Sequence, residues 1–216
     1  MNKGPVYLDL KNYGRLQHFE YFKSMAYPYV GITCNVDITE FHEWIKVNGH
    51  PFFLSFLWCV AQAANGIEQF RQRICDDKIA EYPFCPTSHT VAKEDGTYSY
   101  CTLDCSKPFN EFVGYAASKQ EQAKMHGDIE ENPEEAQSLL FISSLPWLSY
   151  ISLVQPVPMP SDSNPRITWG RFYQNGESIL MPVSVLCHHA LVDGKHIADF
   201  YQLLDAKMRQ LSDRRR

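Results

Sequence analysis

The sequence predicts an α/β protein, a two-layer α+β sandwich in which helices cover a mixed, largely antiparallel sheet. Many short runs rich in β-branched and aromatic residues are bounded by turn signals, which is typical of strands. An apolar run at 51–65 and a helical spacing of apolar residues at 194–211 indicate long helices instead. No repeat or interdomain linker is evident, so we expect one domain over residues 1–216.

The first half alternates helical and strand-like segments. The predicted helices cover 9–25, 40–48 and 51–65. The predicted strands cover 29–36, 79–82, 89–93 and 98–103. Thr39 predicts a helix cap, Gly49 a helix end, and Pro51 the first turn of a buried helix that ends before Gly66. Gly96 completes the hairpin signal Glu-Asp-Gly between the last two strands.

The second half contains most of the predicted sheet. A helix is predicted at 108–124, and the acidic stretch 128–135 is interpreted as a solvated connection. The predicted strands cover 139–143, 150–154, 166–173 and 178–186. A proline-rich loop at 155–165 interrupts them, and Asn175-Gly176 predicts a hairpin. After Gly194, helical spacing predicts an amphipathic helix with the apolar stripe Ile197, Phe200, Tyr201, Leu204, Met208 and Leu211.

Composition narrows the function classes. The net charge of −5 gives no reason to expect nucleic acid or an anionic membrane as partner, and the basic run 214–216 is interpreted as a solvated tail. No apolar run approaches the roughly 20 residues of a membrane span, and the first residues lack a signal-peptide core, so we expect a cytoplasmic protein. Seven cysteines without paired short spacings indicate reduced thiols.

The stretch 187–196, Cys-His-His-Ala-Leu-Val-Asp-Gly-Lys-His, is the main candidate for chemistry. It lies where the last predicted strand gives way to the C-terminal helix. Histidine can take and give a proton near neutral pH, so one interpretation is a general-base site. Another interpretation is a hydrogen-bonded structural histidine. A third interpretation is a metal site formed by Cys187, His188, His189, Asp193 and His196. Because these spacings match no standard zinc pattern, we expect no metal.

Four separated segments together resemble type A chloramphenicol acetyltransferases along the whole chain. They are 12–22 (Asn-Tyr-Gly-Arg-Leu-Gln-His-Phe-Glu-Tyr-Phe), 61–65 (Ala-Gln-Ala-Ala-Asn), 142–147 (Ile-Ser-Ser-Leu-Pro-Trp) and 182–194. The His-His-x-x-x-Asp-Gly element alone also resembles dihydrolipoyl acyltransferase cores and peptide-synthetase condensation domains. A lipoyl domain or a second copy of the fold would accompany those, and 216 residues favour the first family.

The resemblance implies a chloramphenicol acetyltransferase-like fold and an O-acetyltransferase that uses acetyl-CoA as co-substrate, with chloramphenicol as the leading acceptor. It makes His189 the general base, with His188 supporting it, in a direct transfer without an acyl-enzyme. It makes Asp193 the partner of Arg15, a pair that holds the backbone of the site. Ser143 is implied as the donor to the oxyanion, with Ser144 as the alternative.

The resemblance also implies the surroundings of this chemistry. Thr168 matches a threonine that holds an ordered water at the tetrahedral intermediate. Arg171 lies near the position of a basic residue close to the coenzyme phosphates, although an exposed strand arginine would look identical. The family assembly implies a homotrimer with active sites at subunit interfaces.

The implied acceptor pocket departs from the family pattern. Phe22 stands in place of a tyrosine, with Tyr21 before it. Ala26, Pro28 and Val30 stand in place of larger or more flexible side chains. Tyr98 stands in place of a phenylalanine, and Leu186 in place of a glutamine. These changes leave open a same-fold acyltransferase for a different hydroxyl or amine acceptor. A non-catalytic small-molecule-binding homologue is disfavoured because His189, Ser143, Asp193 and Arg15 occur together.

Overall fold

A computed structural model describes residues 4–127, 129 and 132–213. Its α-helices are α1 (Leu16–Lys23), α2 (Thr39–Asn48), α3 (Phe52–Asn65), α4 (Phe109–His126), α5 (Pro133–Ala136) and α6 (Gly194–Ser212). Its strands are β1 (Val6–Tyr7), β2 (Tyr29–Asp37), β3 (Gln72–Cys75), β4 (Lys78–Glu81), β5 (Thr87–Ala92), β6 (Tyr98–Leu103), β7 (Leu140–Leu145), β8 (Arg166–Gly170), β9 (Tyr173–Asn175) and β10 (Ser178–His188). Two 3-10 turns cover Leu10–Asn12 and Glu68–Arg71.

The main sheet has the strand order β2-β10-β8-β7-β5-β6, with β9 paired to β10. The pairs β5/β7 and β7/β8 are parallel and the others are antiparallel, which confirms the predicted mixed, largely antiparallel sheet. A small second sheet has the order β1-β4-β3. The long central strand β10 therefore lies between β2 and β8. Over residues 183–186 it is paired with both neighbouring strands.

Helices cover one face of the main sheet. Alternate residues of the central strands, such as Ile142, Ile167 and Val183, belong to the buried core. The predicted stripe of α6 is buried against this core except at Tyr201, which is partly buried and donates its hydroxyl to the Val183 carbonyl at 2.7 Å. Because side chains alternate along a strand, the residues between these core positions point to the opposite face.

The hairpin predictions are confirmed. Gly96 (φ 83°) and Gly176 (φ 61°) adopt the left-handed conformation that tight hairpin turns require. Gly49 (φ 65°) ends α2 in the same way. Within the described residues, no helix has the length and apolarity needed to cross a membrane.

Four local predictions are wrong. The helix expected at 9–25 is a 3-10 turn followed by α1. Thr39 is the first residue of α2 rather than its cap, because its hydroxyl accepts the Ile179 N–H at 2.8 Å and so ties the helix to the sheet. Residues 150–154 form no strand, and Ile151 and Val154 are almost fully exposed. The strand expected at 166–173 ends at Gly170, where a side chain would meet the Leu148 carbonyl oxygen. Of the acidic stretch, residues 128, 130 and 131 lie outside the described residues.

Candidate active site

His189 lies immediately after β10, in the turn that leads to α6. Its backbone N–H donates to the Pro28 carbonyl at 2.7 Å, and its ring stacks on Phe22 with centroids 3.8 Å apart. The ring Nδ1 lies 2.9 Å from the Val192 carbonyl oxygen. Because a carbonyl oxygen can only accept, Nδ1 carries the proton. The neutral ring therefore keeps its lone pair on Nε2, which is the state a general base needs.

His188 is the buried member of the pair. It is 2 % exposed, its Nδ1 accepts the Ala190 N–H at 3.2 Å, and the edge of its ring contacts Tyr29. Burial lowers its pKa to about 4. This histidine therefore stays neutral near neutral pH and packs beneath the turn that carries His189.

Asp193 begins α6 and does not contact His189. Its carboxylate accepts the backbone N–H groups of Lys195 and His196, while the His196 ring accepts the Asp193 N–H at 3.1 Å. The guanidinium of Arg15 donates to the other carboxylate oxygen, so the predicted pair is present. Partial burial alone would raise the pKa of Asp193, but the hydrogen bond from Arg15 and the neighbouring His196 outweigh it, and the pKa lies below its ordinary value. The arrangement fixes the turn between β10 and α6.

A row of hydroxyl side chains crosses the sheet on the face away from the core. Ser143, Thr168 and Ser184 occupy paired positions on β7, β8 and β10, and Thr33 continues the row on β2. The Thr33 and Ser184 hydroxyl oxygens are 2.7 Å apart. Ser144, by alternation, points to the core face and pairs with buried Trp169.

Ser143 opens into a chamber of about 440 Å³. The proline-rich loop closes one side of this chamber through Gln155, whose side-chain oxygen accepts the Thr168 hydroxyl at 3.3 Å. Tyr100 and Arg166 also line it. The chamber thus places hydroxyl groups, an amide and a guanidinium around one volume.

Within a single chain, His189 and Ser143 are far apart. Ser143 lies in the row of Ser184, two strands away, and His189 lies five residues further along the chain than Ser184. With about 3.3 Å per residue and about 4.8 Å between strands, the two α-carbons are separated by about 19 Å. One acyl carbon cannot contact both side chains of the same chain.

The predicted acceptor-pocket residues do not form one group. Phe22 and Pro28 contact His189 directly. Leu186 lies on β10 on the face of the hydroxyl row, whereas Val30 is paired with buried Cys187 and packs against the core, so the structure does not place Val30 in a pocket with Leu186. Tyr21, Ala26 and Tyr98 are exposed and do not line the chamber beside Ser143. Arg171 is also exposed, just after β8, where its backbone N–H donates to the Leu148 carbonyl.

Of the residues that line the chamber, sequence reasoning predicted only Ser143 as a site residue. Strand alternation could have found Tyr100, since it lies two residues from Tyr98 on β6. Gln155 and Asp162 belong to a loop without periodicity, which gives no signal of where a side chain points. Arg166 begins a strand, where an arginine usually faces solvent.

Across the described residues, no three His, Cys, Asp or Glu side chains come together as metal ligands do. A histidine whose Nδ1 is hydrogen-bonded at the end of a central strand, and a row of hydroxyl groups on that sheet, are groups that general-base acyl transfer can use. A family model described as "Chloramphenicol acetyltransferase" matches residues 5–205, and the chain belongs to that family of acyltransferases.

Similar proteins agree with this assignment. The chain is 28 % identical to a chloramphenicol acetyltransferase of Proteus mirabilis over 199 residues, which is 90 % of each chain. It is 29 % identical to chloramphenicol acetyltransferase 3 of Escherichia coli, over 91 % of this chain and 93 % of the relative. A solved chloramphenicol acetyltransferase structure, 22 % identical, has the same fold with a TM-score of 0.82, covering 94 % of this chain and 99 % of the other. A probable dihydrolipoamide acetyltransferase of Listeria monocytogenes is more distant, with 15 % identity and a TM-score of 0.66 over 98 % and 96 % of the two chains.

Proposed function

We propose that this chain is an acetyl-CoA-dependent O-acetyltransferase and that chloramphenicol is its leading acceptor. The observation that carries the proposal is the state of His189, whose Nδ1 proton is committed to the Val192 carbonyl and whose Nε2 is left as the base. Membership of the family supplies the reaction class and the leading acceptor.

In this reaction, His189 Nε2 takes the proton of an acceptor hydroxyl as its oxygen attacks the thioester carbonyl carbon. The carbon–sulfur bond then breaks, and the imidazolium returns the same proton to the leaving thiolate. The alcohol is a poor nucleophile until it loses its proton, and general-base help of this kind contributes about 10²- to 10⁴-fold. No acyl-enzyme forms, since His189 moves only a proton.

Ser143 is the proposed donor to the oxyanion that develops on the thioester carbonyl. Its backbone is paired with Thr168 on β8, and the preceding residue is paired with β5, so its hydroxyl needs little reorganisation. Thr168 lies beside it, and because its proton is donated to Gln155, its oxygen remains free to accept from a water at the same oxyanion. Arg171, exposed just after β8, is the proposed contact of the coenzyme phosphates.

Asp193 and Arg15 have a positioning role in this account. Their pair and the cap of α6 hold the turn in which the backbone of His189 is fixed. The carboxylate does not contact the imidazole, so it neither orients the ring nor relays a proton.

We further propose a homotrimer in which His189 of one subunit faces Ser143 of its neighbour. The separation of about 19 Å within one chain supports this, because one acyl carbon must contact both groups. The loop after β7 supports it as well: Trp147, Ile151 and Val154 are 73 %, 94 % and 90 % exposed, and an apolar surface of this kind favours burial against another subunit.

A thiol-release assay tests the proposed reaction. Purified protein is incubated with acetyl-CoA, with and without chloramphenicol, and the acetylated product is identified by mass spectrometry. We expect thiol release to depend on chloramphenicol, and an analogue in which both hydroxyl groups are replaced by hydrogen is the matched control without a reacting group. Release that does not depend on the acceptor, or no acetylated product, would contradict the proposal.

A further inference from the structure

Arg166 lies in the chamber beside Ser143. It is the first residue of β8, in register with Phe141 and Leu186, and two residues before Thr168. Residues two apart on a strand point to the same face, so the guanidinium shares the face of the hydroxyl row. Arg166 lies about 7 Å along the strand from Thr168. A small acceptor whose hydroxyl reacts beside Ser143 is long enough to reach the guanidinium.

Contacts hold the guanidinium in one orientation. Arg166 Nη1 and Nη2 donate to the two carboxylate oxygens of Asp162 at 2.8 and 2.7 Å, and Nη1 also donates to the Asn164 carbonyl at 3.2 Å. The ring of Phe141 lies 5.3 Å from the guanidinium carbon. The Tyr29 hydroxyl donates to Asp162 at 3.0 Å, which fixes the carboxylate in turn. Only 11 % of the Arg166 side chain is exposed.

One edge of this guanidinium remains without a partner. Asp162 and Asn164 accept both N–H groups of Nη1 and one N–H group of Nη2. The N–H of Nε and the second N–H of Nη2 remain. These two donors point in parallel and form one edge of the planar guanidinium. Neither donor has a hydrogen-bond partner within the described residues, and Nε is not among the buried unpaired atoms there. Nε therefore reaches solvent, and the Arg166 side chain lines the chamber.

The charge of the pair selects what this edge binds. Asp162 already neutralises the guanidinium, so an anionic group on the acceptor would be repelled by that carboxylate. A neutral planar group with oxygen acceptors, such as a nitro group or an amide carbonyl, gains the hydrogen bonds without that repulsion. An acceptor that lacks such oxygens would leave the two donors desolvated and unpaired, which is a strong basis for rejection.

We propose that Arg166 is a specificity-determining residue that binds a neutral nitro or carbonyl oxygen of the acceptor through its Nε–Nη2 edge. The proposal rests on the O-acetyltransferase function proposed above and names the class of acceptor for that site: a neutral hydroxyl compound with a planar oxygen-bearing group. Chloramphenicol has two such groups, a nitro group on its ring and an amide carbonyl.

A double-mutant cycle between protein and acceptor tests the contact. Arg166→Met removes the edge, and Arg166→Lys keeps the charge beside Asp162 but lacks the parallel donors. Asp162→Asn removes the charge of the ion pair, while its amide oxygen can still accept one guanidinium N–H, so this variant separates loss of the ion pair from loss of the edge. Each variant is assayed for kcat/KM with chloramphenicol, with an analogue whose nitro group is replaced by hydrogen, and with a neutral analogue whose amide group is replaced by an alkyl group and so lacks the carbonyl.

We expect Arg166→Met and Arg166→Lys to lose about 10- to 100-fold in kcat/KM with chloramphenicol, and less than about 3-fold with the analogue that lacks the oxygen bound by Arg166. Asp162→Asn keeps the preference for chloramphenicol over that analogue. Equal losses with all three acceptors, or the same loss of preference in Asp162→Asn, would show that Arg166 serves only its ion pair and would overturn the proposal.

Calorimetric titration of chloramphenicol without acetyl-CoA separates this inference from the proposed reaction. If the wild-type chain binds chloramphenicol but does not acetylate it, the proposed function fails, and weaker binding by Arg166→Met still supports the contact. If the wild-type chain acetylates chloramphenicol and the Met variant binds it equally well, only the inference fails. A wild-type chain that neither binds nor acetylates it overturns both.

Discussion

Subunit complementation gives a quantitative test of where the two halves of the site come from. The perturbation is a pair of single variants, His189→Ala and Ser143→Ala, each of which removes one half. About 19 Å separates the two positions in one chain, so each site must take its base and its oxyanion donor from different subunits. Co-expression of both variants in equal amounts therefore regenerates some sites that have both groups intact.

The expected recovery follows from counting. Every mixed trimer has two subunits of one variant and one of the other, so one of its three interfaces joins an intact His189 to an intact Ser143, and about one third of wild-type turnover returns. The assay is thiol release by co-purified mixed trimers with two different tags, with each variant alone as control. If both groups acted from the same chain, every site in the mixture would lack one of them. Activity no higher than in the separate variants would thus refute the reasoning.

Three further perturbations test other parts of the account. Ser143→Ala should lower kcat by about 10²- to 10³-fold with little change in KM, because it removes one oxyanion donor; equal kcat values for variant and wild type would exclude that role. Asp193→Ala should cost about 2 kcal/mol or more in the free energy of unfolding by urea. It removes the α6 cap, and it leaves unpaired the guanidinium of Arg15, whose Nε and Nη2 are buried without another partner. The control Asp199→Ala removes an exposed pair with Lys195 on the same helix and should cost less than about 0.5 kcal/mol. Burial lowers the pKa of His89 to about 4, so the unfolded chain takes up a proton first as the pH falls. The contribution of His89 to stability is then constant above about pH 6.5 and decreases by up to about 3 kcal/mol towards pH 4, and His188, whose pKa is also lowered to about 4, adds a decrease of the same sign. Urea midpoints across this range should show the decrease, and a His89→Gln variant with an unchanged slope would contradict it.

The sequence predicted those parts of the fold in which a local signal agrees with the tertiary structure. The turn glycines Gly96 and Gly176 and the apolar stripe of α6 are such cases, because a positive φ and a helical period are visible in the residues themselves. β3 was missed because Gln72 and Arg73 are polar, yet both are buried. Arg73 is accommodated there because backbone carbonyls, among them those of Phe70 and Leu139, accept its protons.

The site was predictable in a similar way. The Arg15 and Asp193 pair, 178 residues apart in the chain, was anticipated from family resemblance and is present. The wall of the chamber was not anticipated, since Gln155 and Asp162 lie in an irregular loop whose side-chain directions depend on contacts with the sheet, such as that between Gln155 and Thr168. Residues 150–154 were mistaken for a strand because β-branched residues favour strands and also favour apolar surfaces.

The central claim is that His189 is the base for transfer of acetyl to an acceptor hydroxyl. The most direct measurement is kcat for thiol release with acetyl-CoA and chloramphenicol, for wild type and His189→Ala, with circular dichroism and gel filtration as controls for folding and assembly. The account predicts a loss of about 10²- to 10⁴-fold or more in a variant that keeps the wild-type fold and size. Near-wild-type turnover by such a variant would contradict it.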